Sequence, residues 1–203
     1  MNRQTTRGWL VGIAVVLLSI TATVSPAFGQ AAHVRWDIIS LNPPADFTAD
    51  PGGIASALAS DGSKIVLTGA GTFVAPAGGS GTSSAVTGVG TWETFTAGNV
   101  STGNGTYWVT GLVRWDQAPG FLPTPPFLDN IGDPAEKSAG LAVLRIQYSD
   151  GKRGILVVSC HLVGTPDSVF EGITASKGFV DYFNSQAPIP GVDANRTLFH
   201  VRQ

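Results

Sequence analysis

The sequence predicts an all-β fold, an antiparallel β-barrel of about 8–10 strands with a β-sandwich as the alternative. Three observations point there. From residue 33 onward apolar residues come in short alternating runs separated by Gly, Asp, Ser and Pro, the period-two pattern of half-buried strands. Two segments, Ser60-Asp61-Gly62-Ser63 and Ser149-Asp150-Gly151-Lys152, set Asp-Gly between hydrophobic runs, the strongest short signal for a hairpin. A template of aliphatic, Thr, Gly, any, small or aliphatic, any, aromatic recurs at Leu67–Phe73, Val86–Trp92 and Val109–Trp115, at the spacing of a meander. Closing a meander into a barrel protects its edge strands, which favours the barrel.

Composition agrees with one β-rich domain. The chain has 203 residues, of which 43% are hydrophobic and 13% charged. A usual charged fraction is about 25%, and a disordered chain would lean the other way. A single Cys excludes a disulfide framework within the chain and any multi-cysteine metal site. The net charge of −2 argues against nucleic acid, which asks for a basic face.

Taken in order, residues 1–31 read as a secretory signal peptide. Arg3 and Arg7 form a basic start, Trp9 to Ile20 an apolar stretch, and Ala27, Gly29 and Ala31 offer small residues for cleavage. The apolar run is shorter than the roughly 20 residues a membrane helix needs, and no later stretch approaches that length. The expectation is a secreted or periplasmic protein with no stable membrane span after cleavage, and residues 32–203 as a single domain. Without the leader, 10 basic and 14 acidic residues remain, a formal charge of −4. The sequons at Asn99, Asn104 and Asn195 read as chance patterns in a Thr/Ser-rich chain.

The echoed template places Gly69, Gly71 and Phe73, then Gly88, Gly90 and Trp92, then Gly111, Val113 and Trp115, each on one strand face. Glycines beside large rings mean either tight wall curvature with a ring packed over bare backbone, or an aromatic-lined cavity. Residues 117–138 carry five prolines together with Phe121, Leu122, Phe127 and Leu128, more apolar than an idle loop, and are expected to fold over one end of the sheet. A two-residue turn at Asp150-Gly151 pairs His161 with Gly140 and Cys160 with Leu141. In Pro166–Asn184, Ser168 and Glu171 have capping-box spacing and Phe179 and Phe183 stand four apart, so at most one short helix forms, near 175–184. Phe179 to Phe183 reads equally as a strand.

The search for chemistry finds no nucleophile elbow, phosphate loop or dinucleotide fingerprint. His33, His161 and His200 lie on separate strands without metal-ligand spacing, and Asp129, Asn130, Asp133 and Glu136 lack the spacing of an EF-hand; no metal and no cofactor are expected. Cys160 is expected to pack as a small hydrophobe. Glu93 and Arg114 follow the pattern of a cross-strand ion pair which, if enclosed beside His161, makes a polar site. Of the tryptophans outside the leader, Trp92 and Trp115 read as core, and a row of exposed rings would be a sugar platform.

No family motif is carried by these residues. The leading expectation is an exported binding module whose barrel holds a small, largely apolar ligand, with Phe73, Trp92, Trp115, Glu93, Arg114 and His161 as ligand-binding residues. One alternative is a structural or adhesive surface domain. Another is an isomerase- or cyclase-type enzyme working in the barrel interior with His161, Glu93 and Arg114. The balance leans away from an enzyme, and the oligomeric state is open.

Overall fold

The computed structural model describes residues 31–41, 48–76, 81–122, 128–186 and 194–202. The predicted leader, apart from its last residue, lies outside them, as does Phe127 of the Pro-rich connection. The strands are β1 (Ala32–Leu41), β2 (Thr48–Pro51), β3 (Ala55–Leu58), β4 (Lys64–Leu67), β5 (Ala70–Ala75), β6 (Val86–Phe95) and β7 (Ser101–Ala118). There follow β8 (Leu128–Asp129), β9 (Lys137–Tyr148), β10 (Arg153–Cys160), β11 (Gly172–Lys177), β12 (Val180–Tyr182), β13 (Asn184–Gln186) and β14 (Arg196–Arg202). The only helical element among the described residues is one 3-10 turn, Pro134–Glu136. None of their helices is long and apolar enough to cross a membrane.

The protein is all-β, with a closed antiparallel six-stranded barrel and extra strands outside it. The ring runs β1-β5-β6-β7-β9-β14 and back to β1. β6, β7 and β9 are long enough to serve two neighbours in succession. The first half of β6 pairs with β5 and the second half with β4, the switch falling at Thr68-Gly69. Likewise β9 pairs with β14 at Lys137 and Ser138 and with β10 beyond Gly140. The sheet therefore forks. One branch closes the ring, and the other carries β3, β4, β10 and β11, with β11 packing against β3 and β13.

Three hairpins share one turn, and it differs from the two-residue loop that the sequence suggests. Ala59 N–H donates to Ser63 C=O (2.8 Å), Tyr148 to Lys152 (2.8 Å) and Thr96 to Val100 (2.9 Å), each closing a three-residue loop. Only the last loop residue takes a positive φ: Gly62 at 79°, Gly151 at 87° and Asn99 at 60°. Asp61 and Asp150 keep ordinary backbone and instead accept the N–H two residues on, from Ser63 (2.9 Å) and Lys152 (3.2 Å). That Asx turn stabilises a three-residue loop with a bulge. Its consequence is a register one residue away from the expected one: Cys160 faces Gly140, and His161 lies past the end of β10.

The 175–184 segment forms strands. β11 and β12 pair through Lys177 and Val180 around a tight turn at Gly178, whose φ of 62° a side chain would resist. On β7, bulges between Val109 and Gly111 and between Leu112 and Arg114 shift the alternation, so Leu112 rather than Val113 enters the core beside Trp115.

The barrel interior is filled by aromatic side chains. Trp115 packs edge-on against Phe199 (4.7 Å between centroids) and Phe73 (5.5 Å), and Trp92 against Tyr148 (5.8 Å). The wall glycines make room for them. A Cβ on Gly88 would come within 2.9 Å of Trp36, one on Gly140 within 2.6 Å of Trp115, and one on Gly103 within 3.4 Å of Trp92. Of the two meanings of glycine beside ring, packing over bare backbone holds.

Candidate functional site

The structure scatters the predicted site residues. Phe73, Trp92 and Trp115 are buried core. Glu93 pairs in register with Asn104 and accepts a hydrogen bond from Ser101 Oγ (2.7 Å). Arg114 stands opposite Val143 and makes its ion pair with Asp116 on its own strand. The expected Glu93–Arg114 pair does not form, because they lie far apart along β6 and β7 and the two bulges re-aim Arg114.

His161 belongs to a third place. Its N–H donates to the Glu171 carboxylate (2.6 Å), and its Nδ1 lies 2.6 Å from Val169 C=O. Glu171 also accepts from Thr197 N–H (2.8 Å) and so joins the end of β10 to the start of β14, at the fork. Burial pushes its carboxyl up to about 7, against those two N–H bonds and the charge of Arg196. The adjoining cavity, lined by Ile39, Leu122, His161, Glu171 and Arg196, holds about 80 Å³, too little for an organic ligand. Cys160 is buried, and that burial pushes its thiol well above the usual range, in keeping with a packing role.

The described flanks of the Pro-rich connection, residues 117–122 and 128–138, lie against the barrel. Phe121 bridges to Val163, and β8 adds to β2 in parallel. Asp129 then pins this strap to the outer face of β14 and β9: its buried carboxylate accepts from His200 Nε2 (2.9 Å) and meets Lys137 Nζ at 3.5 Å. Asn130 reaches instead to Asp50 (2.6 Å), and Asp133 caps the 3-10 turn. These oxygens diverge. Among the described residues no group of three or more His, Cys, Asp or Glu could hold a metal ion.

A wider recess lies on the outside of the wall. A groove of about 480 Å³ runs over β7, β9, β10 and β11, lined by Thr110, Arg145, Gln147, Arg153, Ile155 and Ser176. Pairing explains why these residues converge. Trp108 stands opposite Gln147 and Gln147 opposite Arg153, one rung across three strands; Arg145 stands opposite Ile155 in the next outward rung. Directly opposed residues share a face with Cβ atoms about 5 Å apart, so Trp108 flanks the groove. Its ring is 46% exposed, whereas Trp36, Trp92 and Trp115 are all buried. The bulge at Thr110 sets its hydroxyl on Arg145 C=O (3.3 Å), and Arg153 Nε donates to Gln147 Oε1 (3.3 Å). An aliphatic floor, guanidinium and amide walls and one indole rim give a surface that can grip a polar ligand with an apolar face. No nucleophile–base pair lies among its lining residues.

Sequence reasoning missed Trp108, Arg145, Gln147 and Arg153. The alternation of Tyr107, Trp108 and Val109 holds the signal for Trp108, since both neighbours are core.

Fold and site together define the class: an all-β barrel with aromatic side chains packed in its interior and an open polar groove on its outer wall. No family model, curated protein or solved structure matches the chain.

Proposed function

We propose that this protein is an exported, non-catalytic binding module that holds a saccharide on the outer face of its barrel. The observation that carries the reading is the groove of about 480 Å³ walled by Arg145, Gln147 and Arg153 beside the exposed ring of Trp108. A sugar ring offers an apolar C–H face and a rim of hydroxyls. Trp108 takes the face; Gln147, Thr110, Ser176 and the guanidiniums take the hydroxyls. Export, predicted by residues 1–31, brings the module to where extracellular polysaccharide is met. A small apolar ligand along the barrel axis fits less well, because Trp36, Phe73, Trp115 and Phe199 occupy that space.

The test uses affinity electrophoresis against a panel of soluble polysaccharides, with intrinsic fluorescence as a second readout. Binding is expected to shift the emission, since Trp108 is the exposed tryptophan among the described residues. Trp108→Ala weakens affinity by at least about tenfold, the usual loss at an aromatic anchor, while Trp108→Phe keeps part of it. Unchanged binding by Trp108→Ala, or no polysaccharide retarding the wild type, overturns the reading.

One observation favours a second reading, an adhesive surface domain. β12 is a margin of the sheet, and Phe179, Val180 and Phe183 beside it are exposed. Such an edge invites strand-to-strand association. On this reading sedimentation velocity shows a concentration-dependent oligomer that Phe179→Ser disperses; a monomer at every concentration counts against it.

A further inference from the structure

We infer that the ligand of the outer groove is acidic, a saccharide bearing carboxylate or sulfate groups. This rests on the saccharide reading above and adds the chemical class. The warrant is that neither groove arginine has a carboxylate partner, unlike Arg35, Arg114 and Lys177. Arg35 is neutralised by a two-point pair with Asp37 (2.8 and 2.9 Å), and Arg114 by Asp116. Lys177, on the strand bordering the groove, has its ammonium drawn inward between Asp150 and the ring of Trp92 (3.8 Å).

The groove differs. Arg153 has only the neutral Gln147 amide as partner, and the Arg145 guanidinium makes no hydrogen bond or ion pair among the described residues. No carboxylate lines the recess. The acid that pairing brings to its rim is Asp181, opposite Ser176 on β12, beyond both arginines. Two guanidiniums on adjacent rungs of the sheet, without a carboxylate partner and lining one recess, offer N–H donors to planar or tetrahedral oxyanions. Because Gln147 and Arg153 share a rung with Trp108, an anionic substituent and the apolar face of its own sugar ring can be held at once.

The experiment is isothermal titration calorimetry at low salt with four polymers: polygalacturonate, its fully methyl-esterified form, dextran sulfate and unsubstituted dextran. Polygalacturonate is expected to bind at least about tenfold more tightly than its ester, the worth of one charge-assisted contact, and the preference falls as salt rises. Arg145→Ala and Arg153→Ala each remove most of the preference, weakening the acid far more than the ester, and Arg145→Lys restores part. Arg202→Ala, in a separate recess beside His33 and Arg35, serves as control and leaves it unchanged. Relative affinities for polygalacturonate and dextran sulfate separate carboxylate from sulfate as the source.

Equal affinity for acid and ester overturns the inference while the saccharide reading stands. An acid preference that Arg202→Ala reduces as much as the groove variants also overturns it, since general charge attraction would then explain the binding. Failure of all four polymers to bind, after the panel above has also failed, removes both.

Discussion

Gly90→Ala is expected to destabilise the protein by roughly 3 kcal/mol or more, the upper range for overpacking a core. Gly90 sits on β6 where the chain passes from β4 to β5, and a Cβ there would fall deep inside the Thr68 carbonyl oxygen and 2.7 Å from Tyr107 Cε1. Neither neighbour can step aside. The Thr68 carbonyl is held by the Tyr107 hydroxyl (2.7 Å), and Thr68 N–H donates to Thr91 C=O (3.1 Å). The Tyr107 ring is fully buried beside Tyr148. The damage falls at the point where β6 exchanges one partner for another, so the fork itself is at stake. Gly151→Ala is the control. It leaves open space around the new methyl but holds Ala at a φ of 87°, which costs about 1–2 kcal/mol. Urea unfolding of the two variants checks the ranking; a Gly90→Ala protein within 1 kcal/mol of wild type, on the scale of a tolerated surface change, contradicts this account of the wall.

That same wall shows what the sequence makes legible. The strand class, the Asp-Gly hairpins and the ring-over-glycine packing all follow from local patterns: alternation, turn chemistry and the recurring Gly-x-x-x-aromatic spacing. Closure into a ring of six depends on which strands meet, and the switch of β6 between β5 and β4 leaves only the Thr68-Gly69 interruption as its trace.

The site was hidden by a single residue of register. A two-residue turn at Asp150-Gly151 places Arg145 on the face of Leu156 and Val158, and Arg153 on the other. The three-residue loop sets Gln147 opposite Arg153 and Arg145 opposite Ile155, which brings both arginines to the outside. In a sheet, one residue of slip exchanges the two faces, so a small error of turn type becomes a complete error of site. The bulges of β7 act in the same way on Arg114, whose side chain cannot be placed by counting from Trp115. Glu171 was legible only as a capping residue; its role at the fork needs β10 and β14 to be neighbours in space.

Glu171 carries the second large effect, a stability that falls as pH rises. Its carboxyl stands at about 7 in the folded protein, because burial beside Cys160 outweighs the N–H groups of His161 and Thr197 and the charge of Arg196. In an unfolded chain the same group titrates near its usual value of about 4.3. The folded state therefore holds the proton more tightly, and its contribution is fully present below the unfolded value. It is lost progressively as pH climbs through the folded one, with little change beyond pH 8. The whole contribution is at most about 4 kcal/mol, from the separation of the two values at 1.36 kcal/mol per unit.

Glu171→Gln fixes the neutral form and keeps an oxygen to accept from His161 or Thr197. Urea unfolding of the variant is expected to lose less stability than wild type between pH 5 and pH 8. Comparing slopes cancels groups common to both proteins, including the aspartates, whose lowered values act only at more acid pH. Parallel slopes would mean that the carboxylate is already well solvated and that the fork carries no buried charge. A flatter slope in Glu171→Gln would locate the acid-favoured stability at the junction of β10 and β14. The packed ring and the groove-bearing branch would then be coupled through one proton, and ligand affinity at the outer groove could be compared across the same pH range in both proteins.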